Sequence, residues 1–308
     1  MLVTNEPSDS QGAEQTTLNL AKTTGAQVLL VDSLRTPFQR KPVDKPVAPN
    51  EIYDAALASK KEYLQGVQTR LADDGVKASM QILLGARTST ELIRTAQENH
   101  CDLVVRYLKG QSSRAQGRFG ETAENLIRAC PVPVLLVERE VQRPKVVACI
   151  NLEHGHEENQ AILENARKLV QSPQDLFVLC CWEFSGNEFV IDYVDEGLLD
   201  QTKNDAKEVF SQLFEELLAE YKLDDLEGQV FLKNEKPENE IPQFCQDNQI
   251  DIAVMCSASL NHPLGRKMGS TIRRTIGSLP CALLTVKPIG FDSTFAIEES
   301  ALSASTAE

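Results

Sequence analysis

No run of about 18 consecutive apolar residues occurs in this 308-residue chain. The opening Met1-Leu2-Val3-Thr4-Asn5-Glu6 also lacks the basic stretch and apolar core of a secretory leader. The expectation is a cytoplasmic protein with no membrane partner. Positive charge is scarce: 31 Lys and Arg stand against 45 Asp and Glu, a formal net charge of −14. A field of that sign repels nucleic acid and anionic lipid surfaces, so nucleic acid is not an expected partner. Histidine is scarcer still, with four in all, which leaves a Ser-His-Asp triad few ways to assemble. There is no Gly-x-Ser-x-Gly elbow, no Walker loop and no Gly-x-Gly-x-x-Gly. Carboxylates such as Glu215 and Glu216 read as a solvated helix face. Nothing here is positive evidence for an enzyme, and no catalytic residue is assigned.

Eight cysteines are present but no C-x-x-C. Cys149, Cys180, Cys256 and Cys281 fall inside apolar runs that read as buried strands, where a free thiol behaves as a small hydrophobe. The vicinal Cys180-Cys181 pair is poorly spaced for one zinc or a relaxed bridge. A reduced compartment fits this usage. His154-Gly155-His156-Glu157-Glu158 holds metal-compatible side chains, but a polar turn opening a helix accounts for them, and no metal site is assigned. His100 reads as a helix-end residue and His262 as a loop residue.

What the chain does have is a copy of itself. At an offset of 149 residues, Asp102 to Val137 aligns without a gap on Asp251 to Val286. The identities are Asp102/Asp251, Val105/Val254, Gly120/Gly269, Thr122/Thr271, Ile127/Ile276, Pro131/Pro280, Leu135/Leu284 and Val137/Val286. A repeat this long marks duplicated domains, since solenoid repeats have periods of about 20–50 residues. With 42% hydrophobic residues each half can bury a core of its own.

Within each half, short β-branched runs alternate with amphipathic stretches, the pattern of a parallel sheet with crossover helices. Strands are expected at Met1 to Thr4, Gln27 to Asp32, Lys77 to Leu84, Asp102 to Arg106 and Val132 to Val137. The second set is Lys145 to Ile150, Leu176 to Cys181, Gln229 to Leu232, Asp251 to Cys256 and Cys281 to Val286. Four helices separate the five strands of each half. The long helix of the second half should bury Phe210, Leu213, Phe214, Leu217, Leu218 and Tyr221, which recur at spacings of three and four. Its counterpart carries Tyr63, Leu64, Val67 and Leu71. The fold class is therefore α/β, two tandem doubly wound five-stranded parallel-sheet domains over residues 1–141 and 145–288. Leu34 to Asn50 and Glu183 to Asp195 read as long loops, and 289–308 as a disordered acidic tail. Ligands of such sheets bind at the carboxyl ends of the strands, where the strand order reverses.

Gly269 to Val286 (GSTIRRTIGSLPCALLTV) resembles the ending of the universal stress protein domain, and so does Gly120 to Val137 (GETAENLIRACPVPVLLV). Both halves also open like that family, with Leu2-Val3-Thr4-Asn5-Glu6 and Val147-Ala148-Cys149-Ile150-Asn151. The resemblance spans Met1 to about Pro288 and is to the tandem, E-type members, with a nucleotide-binding α-hydrolase-like architecture. It implies an acidic residue after the first strand and a phosphate loop Gly-x2-Gly-x9-Gly-Ser/Thr after the fourth. Glycines there let backbone N–H groups approach phosphate. Here the first copy reads Tyr107-x2-Gly110-x9-Gly120-Glu121, with Glu6 at the acidic position and Glu121 set to repel phosphate. The second reads Cys256-x2-Ser259-x9-Gly269-Ser270, with Asn151 at the acidic position. The implied binding residues are thus Asn151, Gly269, Ser270 and Thr271, and in the degenerate first copy Glu6, Gly110 and Gly120. Arg266, Lys267, Arg273 and Arg274 flank the second loop as an anion trap or, the more common case, as a solvated face.

The resemblance implies a stress-response protein acting as a non-enzymatic scaffold or small-effector binder, partnered by other proteins or a small effector. An ATP-binding or weakly ATP-hydrolysing sensor using the second half is the alternative, with ATP as the candidate cofactor. A binder of an apolar or lipid-like ligand is a third. Family members pair two units through their fifth strands, which implies an internal pseudo-dimer and leaves the chain a monomer or a homodimer.

Overall fold

The computed structural model describes residues 1–3, 11–34, 50–84, 88–108, 120–152, 156–183, 196–223, 226, 228–257, 270–288 and 291. The chain divides into two compact units, Met1–Gln142 and Arg143–Gly290.

In the first unit the order is β1 (Leu2–Val3), α1 (Gln11–Thr24), β2 (Val28–Leu34), α2 (Asn50–Asp73), β3 (Ala78–Leu84), α3 (Thr88–Glu98), β4 (Val104–Tyr107), α4 (Glu121–Ala129) and β5 (Val134–Val137). The strands lie side by side as β3-β2-β1-β4-β5, and each pairing is parallel. The second unit repeats this with β6 (Val146–Ile150), α5 (His156–Leu169), β7 (Leu176–Trp182), α6 (Glu196–Glu220), β8 (Val230–Asn234), α7 (Pro237–Asp247), β9 (Ile252–Cys256), α8 (Ser270–Thr275) and β10 (Ala282–Val286). Its order is β8-β7-β6-β9-β10, again all parallel. Every expected strand is present, its ends displaced by a residue or two, the usual uncertainty where a ladder frays. The two expected loops and the tail fall almost wholly outside the described residues.

Each sheet reverses its order beside its first strand, between β1 and β4 and between β6 and β9. Right-handed crossovers then send the first two helices of each unit to one face and the last two to the other. Strands covered by helices on both faces are apolar along their length, and β5 and β10 are buried at every residue. In α2, Leu64, Val67 and Leu71 are buried, and Tyr63 directs its hydroxyl to Glu14 of α1. In α6, Phe214 and Leu217 are buried and Phe210 stacks on Trp182 of β7, ring centroids 4.6 Å apart. Leu213, expected on the buried face, is instead 43% exposed. The apolar arc of this helix is wider than the roughly 100° stripe one packing face covers, and Leu213 lies on its margin.

Two local devices fix the layers. On one face of the second sheet, Phe244 of α7 meets Phe177 of β7 and Phe231 of β8 edge to face, with centroids 6.2 and 5.0 Å away. In the first unit, the chain leaving β5 is held along α1. The Val141 N–H donates to Thr16 Oγ1 at 2.9 Å and the Asn19 amide donates to the Val141 carbonyl at 3.1 Å.

All eight cysteines are free thiols. Strand alternation turns Cys180 and Cys181 to opposite faces, so the vicinal pair cannot close. Burial pushes both thiols up to about 12, and burial likewise raises Cys149. Since the thiolate is the nucleophile, these positions should resist a thiol reagent at neutral pH on a timescale where the guanidinium-denatured chain titrates completely. Rapid native labelling at Cys149, Cys180 or Cys181, located by peptide mass mapping, would contradict this.

Candidate functional site

The strand ends that border the crevice differ in charge between the two units. In the second unit Ser257 directly follows β9 and Lys287 directly follows β10, and both are buried. The Lys287 ammonium donates to Ser257 Oγ at 2.6 Å. Ser257 Oγ in turn donates to the Val286 carbonyl at 3.3 Å, while the Ser257 N–H meets the same carbonyl at 3.0 Å. The spacing of nitrogen and hydroxyl is that of a nucleophile and its base, but the proton direction is wrong for attack. The hydroxyl oxygen accepts from the ammonium and spends its own proton on a carbonyl. What the arrangement holds is a positive charge in a site of low solvent access, where its field is weakly screened.

At the same offset of 149 residues the first unit places Leu108 and Glu138. The backbone is the same, with the Leu108 N–H donating to the Val137 carbonyl at 2.8 Å. The chemistry is opposite: an apolar residue replaces the hydroxyl and a carboxylate replaces the ammonium. Glu121, in the first turn of α4, adds a second carboxylate near this end.

The expected residues fare as follows. Gly120 is exposed and precedes α4 with φ 75°, a left-handed conformation that favours glycine. Asn151 follows β6, and its backbone is clamped by Asn159 of α5. The Asn151 N–H donates to Asn159 Oδ1 at 3.1 Å and Asn159 Nδ2 donates to the Asn151 carbonyl at 2.8 Å. Sequence reasoning missed Asn159, which is buried in the first half of α5 beside the equally buried Glu158. Thr271 is half-buried in α8. Glu6, Gly110 and Gly269 lie outside the described residues, as do Ser259, Arg266, Lys267, His154 and His262, and of Ser270 only the backbone is described. Arg273 and Arg274 are exposed, and Arg274 pairs with Glu238 of α7 at 3.0 Å, as expected of a solvated helix face. His156 opens α5, where its Nδ1 lies 2.6 Å from Glu220 and 3.1 Å from the Tyr221 hydroxyl. His100 follows α3 with φ 48°. Among the described residues no three His, Cys, Asp or Glu side chains are grouped to hold a metal ion. Nor is any of their helices long and apolar enough to cross a membrane.

A groove of about 530 Å³ lies between α1 and α2, lined by Leu18, Tyr63, Val67 and Leu71 and by the charged Glu14 and Arg70. It is formed by the two helices, and Arg70 and Glu14 in it are paired at 2.7 Å.

The sequence model of the universal stress protein family matches residues 1–138 and again 143–287. The chain belongs to the universal stress protein family. It carries the domain twice, in tandem. It is 19% identical over 247 residues to the universal stress protein E homolog of Haemophilus influenzae, covering 78% of this chain and 79% of that one. It is 22% identical over 237 residues to universal stress protein E of Photorhabdus laumondii, covering 71% of each. Among solved structures, a universal stress protein from Archaeoglobus fulgidus superposes with a TM-score of 0.65 at 14% identity, covering 94% of this chain and 96% of that one. A functionally unknown protein from Pseudomonas aeruginosa superposes with a TM-score of 0.64 at 15% identity, covering 93% and 91%. At these identities the structural likeness establishes the fold, and activity has to be argued from the site.

Proposed function

We propose that this tandem universal stress protein is a non-enzymatic, cytoplasmic stress-response protein whose second unit binds a small anionic effector at the carboxyl end of its sheet. The observation that carries the reading is the buried Lys287 ammonium on Ser257 Oγ, at the strand ends where doubly wound sheets receive ligands. The first unit, with Leu108 and Glu138 there, presents the opposite charge. ATP is the narrower form of this reading, and depends on Gly269, Ser270 and Thr271 cradling phosphate.

A ligand that binds only the folded chain stabilises it by mass action, by about 2.7 kcal/mol at a concentration of 100 Kd. Thermal denaturation with millimolar pyrophosphate, AMP or ATP with Mg²⁺ should therefore raise the Tm of the wild-type chain. Lys287→Met should abolish at least nine-tenths of that response. A response to ATP alone, lost in Gly269→Glu, would select the nucleotide sensor. No shift with any of the three, or an undiminished shift in Lys287→Met, would sink the proposal.

A further inference from the structure

The first unit has a cation of its own at the point where its strand order reverses. Arg106, near the end of β4, is in register with Val3 of β1 on one side and Leu136 of β5 on the other. The twin position in the second unit, 149 residues on, is Met255, which is buried in the core. One copy of the fold thus fills this position with an apolar side chain, and the other places a guanidinium there.

That guanidinium is partly buried, and among the described residues it makes no hydrogen bond or salt bridge. Among the described residues the charge that acts on it is Asp32, in the second half of β2. By the alternation of in-register strands Arg106 points to the opposite face from Asp32. Asp32 is already engaged, with both its oxygens accepting from the Lys60 ammonium at 2.8 Å and Oδ1 also accepting from the Ser33 N–H at 2.6 Å. Glu138, which follows the neighbouring strand, is itself engaged. Desolvation lowers the Arg106 pKa from its ordinary range to about 10, and the attraction of Asp32 only partly opposes it. Arginine nonetheless remains charged at any physiological pH. A charge withdrawn from water without a hydrogen-bonded partner is costly to the fold. Met255 shows that the same backbone accepts an apolar side chain in its place.

We propose that Arg106 is the recognition residue of a second, separate site, in which the first unit binds the oxyanion head group, carboxylate or phosphate, of a small molecule. The planar fork of five N–H donors matches two oxygens of such a group at once. The site does not use the glycine loop of the family, which the first unit lacks at Tyr107. It also does not depend on the reading of Lys287.

The test uses the full chain carrying Lys287→Met, so that any response comes from the first unit, with malonate and inorganic phosphate as probes. The Arg106 Nε–Hε resonance, assigned by its disappearance in Arg106→Met, should move on titration with at least one probe. Apparent affinity for that probe should fall at least tenfold in Arg106→Met and less in Arg106→Lys, which keeps the charge but not the fork. A response to malonate alone identifies a carboxylate ligand, and a response to phosphate alone a phosphorylated one. Without any probe, Arg106→Met should melt no lower than its parent, because it restores the twin's core residue. An unmoved Arg106 resonance with both probes, or a lower probe-free melting temperature in Arg106→Met, would overturn the proposal, the latter by showing that the guanidinium is satisfied within the fold.

Discussion

Truncating Phe244 to alanine is expected to destabilise the second unit by about 3–5 kcal/mol, the range for removing a buried aromatic side chain and leaving a cavity. Phe244 is 4% exposed and meets both other rings of its trio edge to face, Phe177 and Phe231, which stack on each other with centroids 6.5 Å apart. Such aromatic pairs add to the area they bury. The ring ties α7 to the outer half of the sheet, because β7 and β8 supply the two partners and β8 is an edge strand with no further neighbour inside the unit. A collapse that refilled the cavity would have to move α7, whose Ile241 and Cys245 are packed on the same side, so relaxation is limited and the cost belongs near the top of the range. Amide hydrogen exchange reads this directly. At one decade per 1.4 kcal/mol, protection in β7 and β8 should fall from roughly a hundredfold to several thousandfold, and Phe244→Leu should recover most of it. Protection within a factor of ten of wild type in Phe244→Ala would mean that the trio does not hold the sheet edge.

The β-strands carried strong signals because a sheet covered on both faces demands uninterrupted apolar runs, and Val134–Val137 or Ala282–Val286 have no other plausible fate. Helix faces were legible to within a residue such as Leu213, where width of pattern and width of contact differ. The duplication was legible from invariant offsets. The same offset, carried one residue past Val137 and Val286, would have shown Glu138 against Lys287, and inside the aligned block it sets Arg106 against Met255 and Leu108 against Ser257. These contrasts were hidden because Arg106 and Lys287 sit at the ends of strand-like runs, where a basic residue passes for the point at which the chain reaches solvent. Burial distinguishes the cases: Lys287 is 9% exposed and bonded to a buried hydroxyl, whereas Arg273 and Arg274 are on the surface. The glycine loops were legible as damaged. The clamp of Asn159 on Asn151 was not, since a side chain that reaches back eight residues to the backbone leaves no periodic trace.

Gly12→Val should be the most damaging small-to-large change in α1. A Cβ at Gly12 would lie 3.0 Å from both the Cα and the carbonyl carbon of Arg139 and 3.1 Å from the Glu138 carbonyl oxygen. These are backbone atoms, which cannot rotate away as a side-chain tip can. Helix propensity pulls the other way, because glycine inside a helix is about 1 kcal/mol less favourable than alanine. Gly12→Ala should therefore come out close to neutral, its propensity gain offset by the contact. Valine adds two methyl groups and is stiff at χ1, so it must push residues 138 and 139 off α1, at a cost of about 1–3 kcal/mol for overpacking. The same displacement breaks the bonds from Thr16 and Asn19 to Val141 that follow one and two turns later, and a buried N–H left without its acceptor costs about 1–3 kcal/mol more. Chemical denaturation followed at the α1 amides separates the cases: Gly12→Ala within about 1 kcal/mol of wild type and Gly12→Val lower by more than the overpacking term alone. Equal stability of the two variants would show that the exit from β5 yields freely, and that the Gly12, Thr16 and Asn19 face of α1 does not set the position of the chain that leads out of the first unit.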